Sequence, residues 1–405
     1  MLMLNSQKPR VQLGLGALSE LGAELRAQAA KRILFVVDET AYDASGAAVV
    51  MEPLLAAYSV ERFTGSAMNP KLEDVERGIE QFRRFQPDLV LSLGGGTAID
   101  LGKLIAMLAR QSDSASELIR GRAALVAMST PHITIPTTAG TGSEATHFAV
   151  VYIAGEKYSL AHPAMLPVCA IVDAALTYSL PRGITVATGL DALCQAVESL
   201  WAVGATEESM LDARAALSEA LENLVPAVTQ PTLEARLGMC RAAHFAGRAI
   251  NISKTTAPHA LSYRLTSKHN IPHGIAVALS LSPFLAYNSR VTAADCQDPR
   301  GVDHVQGRIS LIVELLGAAD VLTACAKIES LLDELGVPNS LAAAGITEEA
   351  ELGELVASVN AERMSNNPRR LNPAALLALL QASPAPGAAR PPFYNSILTK
   401  ELNHV

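Results

Sequence analysis

Four side chains stand out as a possible metal-ligand set: Asp191 and Gln195 in GLDALCQAVES, and His259 and His273 in KTTAPHALSYRLTSKHNIPHG. Asp191 and Gln195 are four residues apart, so a helix puts them on one face. His259 and His273 each follow a proline, close to loop punctuation. Two imidazoles, a carboxylate and an amide oxygen make a borderline-to-hard site, suited to Fe2+, Zn2+ or Mn2+. Taken singly, the helical pair also reads as capping or core hydrogen bonding, and the two histidines as unrelated. Cys194 points away from Gln195 on a helix, which favours packing over ligation.

A second group of residues could hold a nucleotide. The run DLVLSLGGG is a buried strand that ends in a glycine triplet and opens into GGGTAIDLGKLIAMLAR, a helix. Glycine lets the backbone pass close to a ligand, and a helix N-terminus offers unpaired N–H groups with a partial positive charge. Together they form a pyrophosphate cradle. It is neither the spaced GxGxxG pattern nor a P-loop, because no GK[ST] closes it. HITIPTTAGTGSEATHFAVVY follows, and its Thr, Gly and Ser cluster supplies a second wall or, on the blander reading, a surface loop.

The elements that must position these residues fall into two halves. LSELGAELRAQAA, LEDVERGIEQFRRFQ and the helix after the glycines alternate with the apolar runs RILFVVD, VERF and DLVLSL. This strand–helix rhythm implies a parallel sheet covered on both faces. KYSLAHPAMLPVCAIVDAALTYSLPR is expected to return to that sheet, with a boundary at 178–184. From Thr185 the periods are helical, so residues 1–180 are expected to form an α/β domain and 181–405 an all-α domain. The 381–392 stretch QASPAPGAARPP is a low-complexity linker to the tail FYNSILTKELNHV.

The chain has 405 residues, of which 49% are hydrophobic, enough for a full core. Its formal charge of −8 and the lack of a basic run argue against nucleic acid or an anionic membrane as partner. The five cysteines, Cys169, Cys194, Cys240, Cys296 and Cys325, are widely spaced with no CxxC, which points to free thiols in a reducing cytoplasm. The start MLMLNSQKPRVQLG is not expected to act as a signal peptide, and without an apolar run of about 18 residues no transmembrane helix is expected.

The ordered motifs GGGTAIDLGK, IPTTAGTGSEAT, AIVDAALTYSLP, GLDALCQAVES and a PHA…PHG pair resemble those of the iron-containing, or group III, alcohol dehydrogenases. The resemblance runs across roughly residues 10–290. It implies a dehydroquinate-synthase-like fold, an N-terminal dinucleotide-binding domain and a C-terminal helical domain, with the metal in the cleft between them. It also implies a homodimer or higher homo-oligomer. By the same resemblance, Gly95, Gly96, Thr97 and Asp100 lie at the pyrophosphate and nicotinamide. Thr137, Thr138, Thr141 and Ser143 contact the cofactor, Lys157 and Leu176 flank the nicotinamide ribose, and Asp191, His259 and His273 are metal ligands. The chain departs from the family at Gln195, where His is usual, and at Tyr263, where many members carry a further His. Gln195 leaves the ligand charge unchanged and hardens the site, binding through oxygen or through water. Tyr263 either relays a proton or packs.

Within the family, GLDALCQAVESLW, INISKTTAPHALSY and NAERMSNNP resemble phosphonoacetaldehyde reductases. The chemistry implied is Lewis-acid activation of a small aldehyde and hydride delivery from NADH or NADPH, giving a primary alcohol. The product oxygen takes its proton through water, the cofactor ribose, Tyr263 or His269. An anionic headgroup calls for clustered cations, and Lys254, Arg264, Lys268, His147 and Arg363 are candidates, with Lys254 and Arg264 preferred because they bracket His259. Asp38, at the end of the second strand, is the acid expected to accept the adenosine ribose hydroxyls and to favour NADH; Glu39 beside it leaves NADPH open. Sulfoacetaldehyde reduction, general short-chain alcohol dehydrogenation and a metal-free maleylacetate reductase are the alternatives, with a non-catalytic nucleotide sensor as the reading from another class.

Overall fold

A computed structural model describes residues 9–66, 69–359 and 361–381. The first eight residues, Asn360 of NAERMSNNP, the linker beyond Gln381 and the C-terminal tail lie outside the described residues. The chain divides into two compact units. One holds the chain up to Thr138 together with Gly142–Leu180; the other holds Ala139–Thr141 and the chain from Pro181 onward.

Among the described residues, the first unit is built on eight strands: β1 (Arg10–Gly14), β2 (Arg32–Val37), β3 (Ser59–Phe63), β4 (Leu89–Gly94), β5 (His132–Pro136), β6 (Phe148–Ile153), β7 (Glu156–Ala161) and β8 (Cys169–Asp173). Six of them form one sheet in the order β1-β8-β5-β4-β2-β3, every pair parallel. The strands β2, β4, β5 and β8 are almost wholly buried, as near-continuous apolar runs in a doubly covered sheet must be. Its helices are α1 (Leu21–Ala27), α2 (Glu39–Ala44), α3 (Ala47–Leu55), α4 (Leu72–Phe85), α5 (Gly96–Leu108) and α6 (Ala115–Ile119). One apolar cluster joins Leu101, Leu104 and Ile105 of α5 to Val75 and Ile79 of α4; another joins Leu21, Leu25 and Met51 to Ile33, Phe35 and Leu91. The chain passes from β2 outward to β3 and then crosses back to β4 on the other side of β2. That reversal opens a crevice at the C-terminal ends of β2 and β4, the usual ligand position in such sheets.

The expected return of KYSLA to the main sheet does not occur. β6 and β7 pair antiparallel as a separate hairpin. Its turn residues, Ala154 and Gly155, both have positive φ (52° and 83°), which suits a two-residue hairpin connection.

The second unit is helical: α7 (Arg182–Trp201), α8 (Glu207–Thr229), α9 (Leu233–Ser253), α10 (Ala257–His269), α11 (His273–Asn288), α12 (Val302–Leu315), α13 (Val321–Glu334), α14 (Glu349–Ala357), α15 (Ala361–Ser365) and α16 (Pro373–Gln381). Nearly every residue of α7 is buried, and α8, α9, α11 and α12 all pack on it. A helix apolar or buried all round is the centre of its bundle. Polar side chains facing inward from α7 therefore need partners, and these define the site described next.

Candidate metal and nucleotide sites

Asp191, Gln195 and Glu198 stand at i, i+4 and i+7 on α7, so one stripe of this buried helix carries all three. His259 sits in the first turn of α10, behind Pro258, and His273 opens α11 behind Pro272. Proline at a helix start costs no hydrogen bond, because the first N–H groups have no intrahelical partner. The close packing of α11 on α7 is permitted by Gly274: a Cβ there would fall on the Ala187 carbonyl oxygen and lie 2.7 Å from Asp191 N.

These elements bring Asp191, His259 and His273 together, with one donor atom of each within 4.8 Å of the others. His259 Nε2 is 3.3 Å and His273 Nε2 3.9 Å from Asp191 Oδ1. An ion about 2.0–2.2 Å from each donor would need spacings of roughly 3–3.5 Å, so the triad is near a ligating geometry. Asp191 Oδ1, Gln195 Oε1 and His259 Nε2 are all buried and make no hydrogen bond. Three such polar atoms in one cluster would be costly without a proton or a cation between them, and this donor set fits a divalent cation once His259 has given up a proton. Gln195 Nε2 lies 3.4 Å from the Thr141 carbonyl, which leaves Oε1 as the outward atom of the amide.

Electrostatics agree with the geometry. Burial alone would raise the Asp191 carboxyl, but His259 and His273 beside it hold it below the usual range. Burial would lower the His259 imidazole, yet the Glu198 and Asp191 carboxylates push it up to about 10. Glu198 is fully buried and bonds His259 Nδ1. The sequence reading missed Glu198, although its i+7 spacing from Asp191 was available. Burial raises Cys194 well above its ordinary value, in keeping with a packing role. The Tyr263 ring stacks against His273 at 6.3 Å and 21°. His269 is the last residue of α10.

In the first unit, Asp38 and Thr97 are the expected cofactor residues that line the crevice between β2 and β4. Asp38, Thr64, Gly65, Ser66 and Thr97 line one groove there; Thr64, Gly65 and Ser66 were not anticipated. Asp38 Oδ1 caps α2 by accepting from Ala41 N (3.0 Å), while Glu39 pairs with Arg62 at 3.3 Å. Gly95 and Gly96 start α5 with no side-chain cap, so its first N–H groups remain available to an anion. Thr137 Oγ1 is buried without a partner, as a residue awaiting a ligand would be, and Thr137 N donates to the Gly94 carbonyl (3.0 Å). Thr138 packs beside Gly95.

Asp100 makes hydrogen bonds within the first unit. It accepts from Ser143 Oγ and, at 2.8 Å, from Val150 N. Burial raises its carboxyl despite nearby Lys103 and Lys157. Lys103 Nζ, also buried, donates to Ser143 Oγ (3.1 Å), Thr146 Oγ1 (2.8 Å) and the Phe148 carbonyl (2.9 Å), so Asp100 and Lys103 lock the Ser/Thr loop to α5. Leu176 lies in the core under the sheet.

Arg264 (3.1 Å) and Lys268 both bond Glu354, whereas Lys254 is an exposed residue at the end of α9 with φ 58°. His147 packs edge-on to Phe148, and Arg363 lies in α15.

Residues 8–174 match the family model for the iron-containing alcohol dehydrogenases, and residues 185–384 match the C-terminal model of the same family. The chain belongs to the iron-containing alcohol dehydrogenase family. It is therefore an oxidoreductase of alcohols and aldehydes. It is 36% identical over 315 residues to the phosphonoacetaldehyde reductase of Streptomyces viridochromogenes, covering 74% of this chain and 77% of that protein. It is 33% identical to long-chain-alcohol dehydrogenase 1 of Geobacillus thermodenitrificans, covering 84% and 86%. Among solved structures, the sulfoacetaldehyde reductase of Bifidobacterium kashiwanohense in complex with NAD+ superposes with a TM-score of 0.81 at 30% identity, covering 94% of this chain and 98% of that one.

Proposed function

We propose that this iron-containing alcohol dehydrogenase reduces phosphonoacetaldehyde to 2-hydroxyethylphosphonate, using NADH or NADPH and one divalent ion, Fe2+ in first place. The observation that carries the metal reading is the cluster of buried Asp191 and His259 with half-buried His273, in which Asp191 Oδ1 and His259 Nε2 make no hydrogen bond. Gln195 is assigned as the fourth ligand, through Oε1. The substrate reading rests on the 36% identity to a phosphonoacetaldehyde reductase. A second reading, sulfoacetaldehyde, is favoured by the 30% identity to a sulfoacetaldehyde reductase; the two substrates share a two-carbon aldehyde and an anionic headgroup.

A bound divalent ion would supply Lewis acidity toward a carbonyl oxygen, worth several kcal/mol as negative charge develops there. The chain's own contribution is placement. Asp191 brings the one negative charge among the four proposed ligands. Tyr263, stacked on His273, steadies that ring and presents a hydroxyl for proton delivery; His269 is the alternative donor. Gly95, Gly96 and Thr97 at the start of α5 hold a pyrophosphate, and Asp38 in the groove accepts ribose hydroxyls. Asp38 repels a 2′-phosphate, which favours NADH. Thr138, Thr141, Ser143, Lys157 and Leu176 complete the cofactor contacts by family resemblance.

A cytoplasmic homo-oligomer belongs to the same reading. The free cysteines suit a reducing compartment, and no described helix is long and apolar enough to cross a membrane.

The test is a panel of two-carbon aldehydes bearing phosphonate, sulfonate, carboxylate or methyl, assayed with both nicotinamides alongside metal analysis. The phosphonate is expected to give the highest kcat/KM with NADH. A preference for the methyl compound would overturn the anionic-substrate reading, and full activity in metal-free protein would move the enzyme to the maleylacetate reductase type.

A further inference from the structure

Glu198 is fully buried, and both of its oxygens are in use. Oε1 accepts from Thr256 N (2.8 Å), Thr256 Oγ1 (2.8 Å) and His259 N (3.4 Å), the donors at the start of α10. Oε2 bonds His259 Nδ1. A carboxylate that only capped α10 would need Oε1 alone. Here the second oxygen is spent on the ring whose other nitrogen, Nε2, faces Asp191 Oδ1.

The direction of this chain of bonds is forced. Trp201 Nε1, a donor only, lies 2.8 Å from Thr256 Oγ1, so the hydroxyl must accept there and give its own proton to Glu198. Glu198 Oε1 is thus filled with donors, and Oε2 is left to take the Nδ1 proton of His259. An imidazole whose proton is held at Nδ1 presents the Nε2 lone pair, the form that binds a cation.

We propose that Glu198, oriented by Thr256 and Trp201, is the positioning residue that fixes the metal-binding tautomer and ring plane of His259. The proposal rests on the reading that a divalent ion sits among Asp191, His259 and His273. It assigns Glu198 no contact with substrate or ion. A Glu198→Gln amide has one oxygen for two demands. If that oxygen serves Thr256, the NH2 group turns toward His259 Nδ1 and draws the ring proton to Nε2. If it serves His259, the NH2 group meets the Thr256 N–H.

The experiment uses the full-length chain as wild type, Glu198→Gln, Thr256→Val and Trp201→Phe, each stripped of metal. Zn2+ affinity is measured by competition with a chromogenic chelator. The visible spectrum of the Co2+-loaded protein reports the ligand field. Glu198→Gln is expected to weaken Zn2+ binding about 10–100-fold and to shift the Co2+ bands. Thr256→Val and Trp201→Phe, which leave the carboxylate in place, are expected to weaken binding by smaller factors of a few-fold. Wild-type binding with undiminished affinity in Glu198→Gln would overturn the proposal while leaving the metal reading intact. A wild type that binds no metal would instead defeat the metal reading and this proposal with it. Should Glu198→Gln fail to fold, Thr256→Val decides: weakened Zn2+ binding supports the proposal, and unchanged affinity refutes it.

Discussion

At the scale of single residues, burial turns ordinary side chains into a site. His259 illustrates this. The Glu198 and Asp191 carboxylates overcome burial and push its imidazole up to about 10 from an ordinary 6.5. In metal-free protein the ring is therefore charged at neutral pH, and a cation must displace a proton to bind. Calorimetry in two buffers of different ionisation enthalpy should show about one proton released per Zn2+ at pH 7; none would contradict the arrangement. The same shift sets a stability trend. Because the folded value is raised, its contribution is complete below about 6.5 and is lost as pH rises through about 10. The melting temperature of the metal-free protein should fall across that window, and a rise would count against it. Lys254 is the second residue-scale case. Arg264 and Lys268 pair with Glu354 at the surface, and Lys254 is exposed at the end of α9, so both members of the expected cation pair stay candidates for the headgroup. Lys254→Met should raise KM for an anionic aldehyde about tenfold while leaving KM for propanal nearly unchanged, because a charged hydrogen bond is worth about 1.5–3 kcal/mol. Equal effects on both would refute that role.

Elements place these residues through close approach of backbones. Gly274 lets α11 come against α7, and so sets His273 near Asp191. Gly274→Ala must push the two helices apart. The expected cost is about 1–3 kcal/mol of stability, with a loss of metal affinity larger than the stability loss alone would give, read by thermal melts and chelator competition. In the α/β unit, Gly94 has φ 147°, and an added Cβ would lie 2.8 Å from the Cβ atoms of both Asp38 and Ala98. Gly94→Ala should therefore distort the join between β4 and α5 and weaken NADH binding, measurable by fluorescence titration. Unaltered binding would mean that the glycine triplet does not form the cradle.

Considered as a molecule, the helical unit contains all of the proposed ligands, so metal binding and folding are linked. An ion held only by the native state stabilises it by about 4 kcal/mol at a thousandfold excess over Kd. The melting temperature should then rise on the order of 10 °C between chelated and Zn2+-saturated protein, and depend on free metal concentration. No dependence would argue against a native metal site. The formal charge of −8 adds a whole-molecule constraint: an anionic aldehyde approaches against the overall field, so its capture depends on local cations.

Local pattern alone determined much of this protein. Apolar runs alternating with amphipathic helices specify a parallel sheet, and the six all-parallel strands bear that out. The i, i+4 spacing put Asp191 and Gln195 on one face because helical periodicity is a property of neighbours in sequence. Other features were settled only by packing over long sequence separations. Glu198 looks like a solvated helix glutamate until α10 buries it, 58 to 61 residues further along the chain. Arg264 looks unpartnered until Glu354, 90 residues away, pairs with it at the surface. Asp100 looks unpartnered until Ser143 and Val150, 43 and 50 residues further along, each donate to one of its oxygens. Periodicity says which face a side chain occupies; only the tertiary fold says what stands opposite that face, and for a buried charge that partner decides its role.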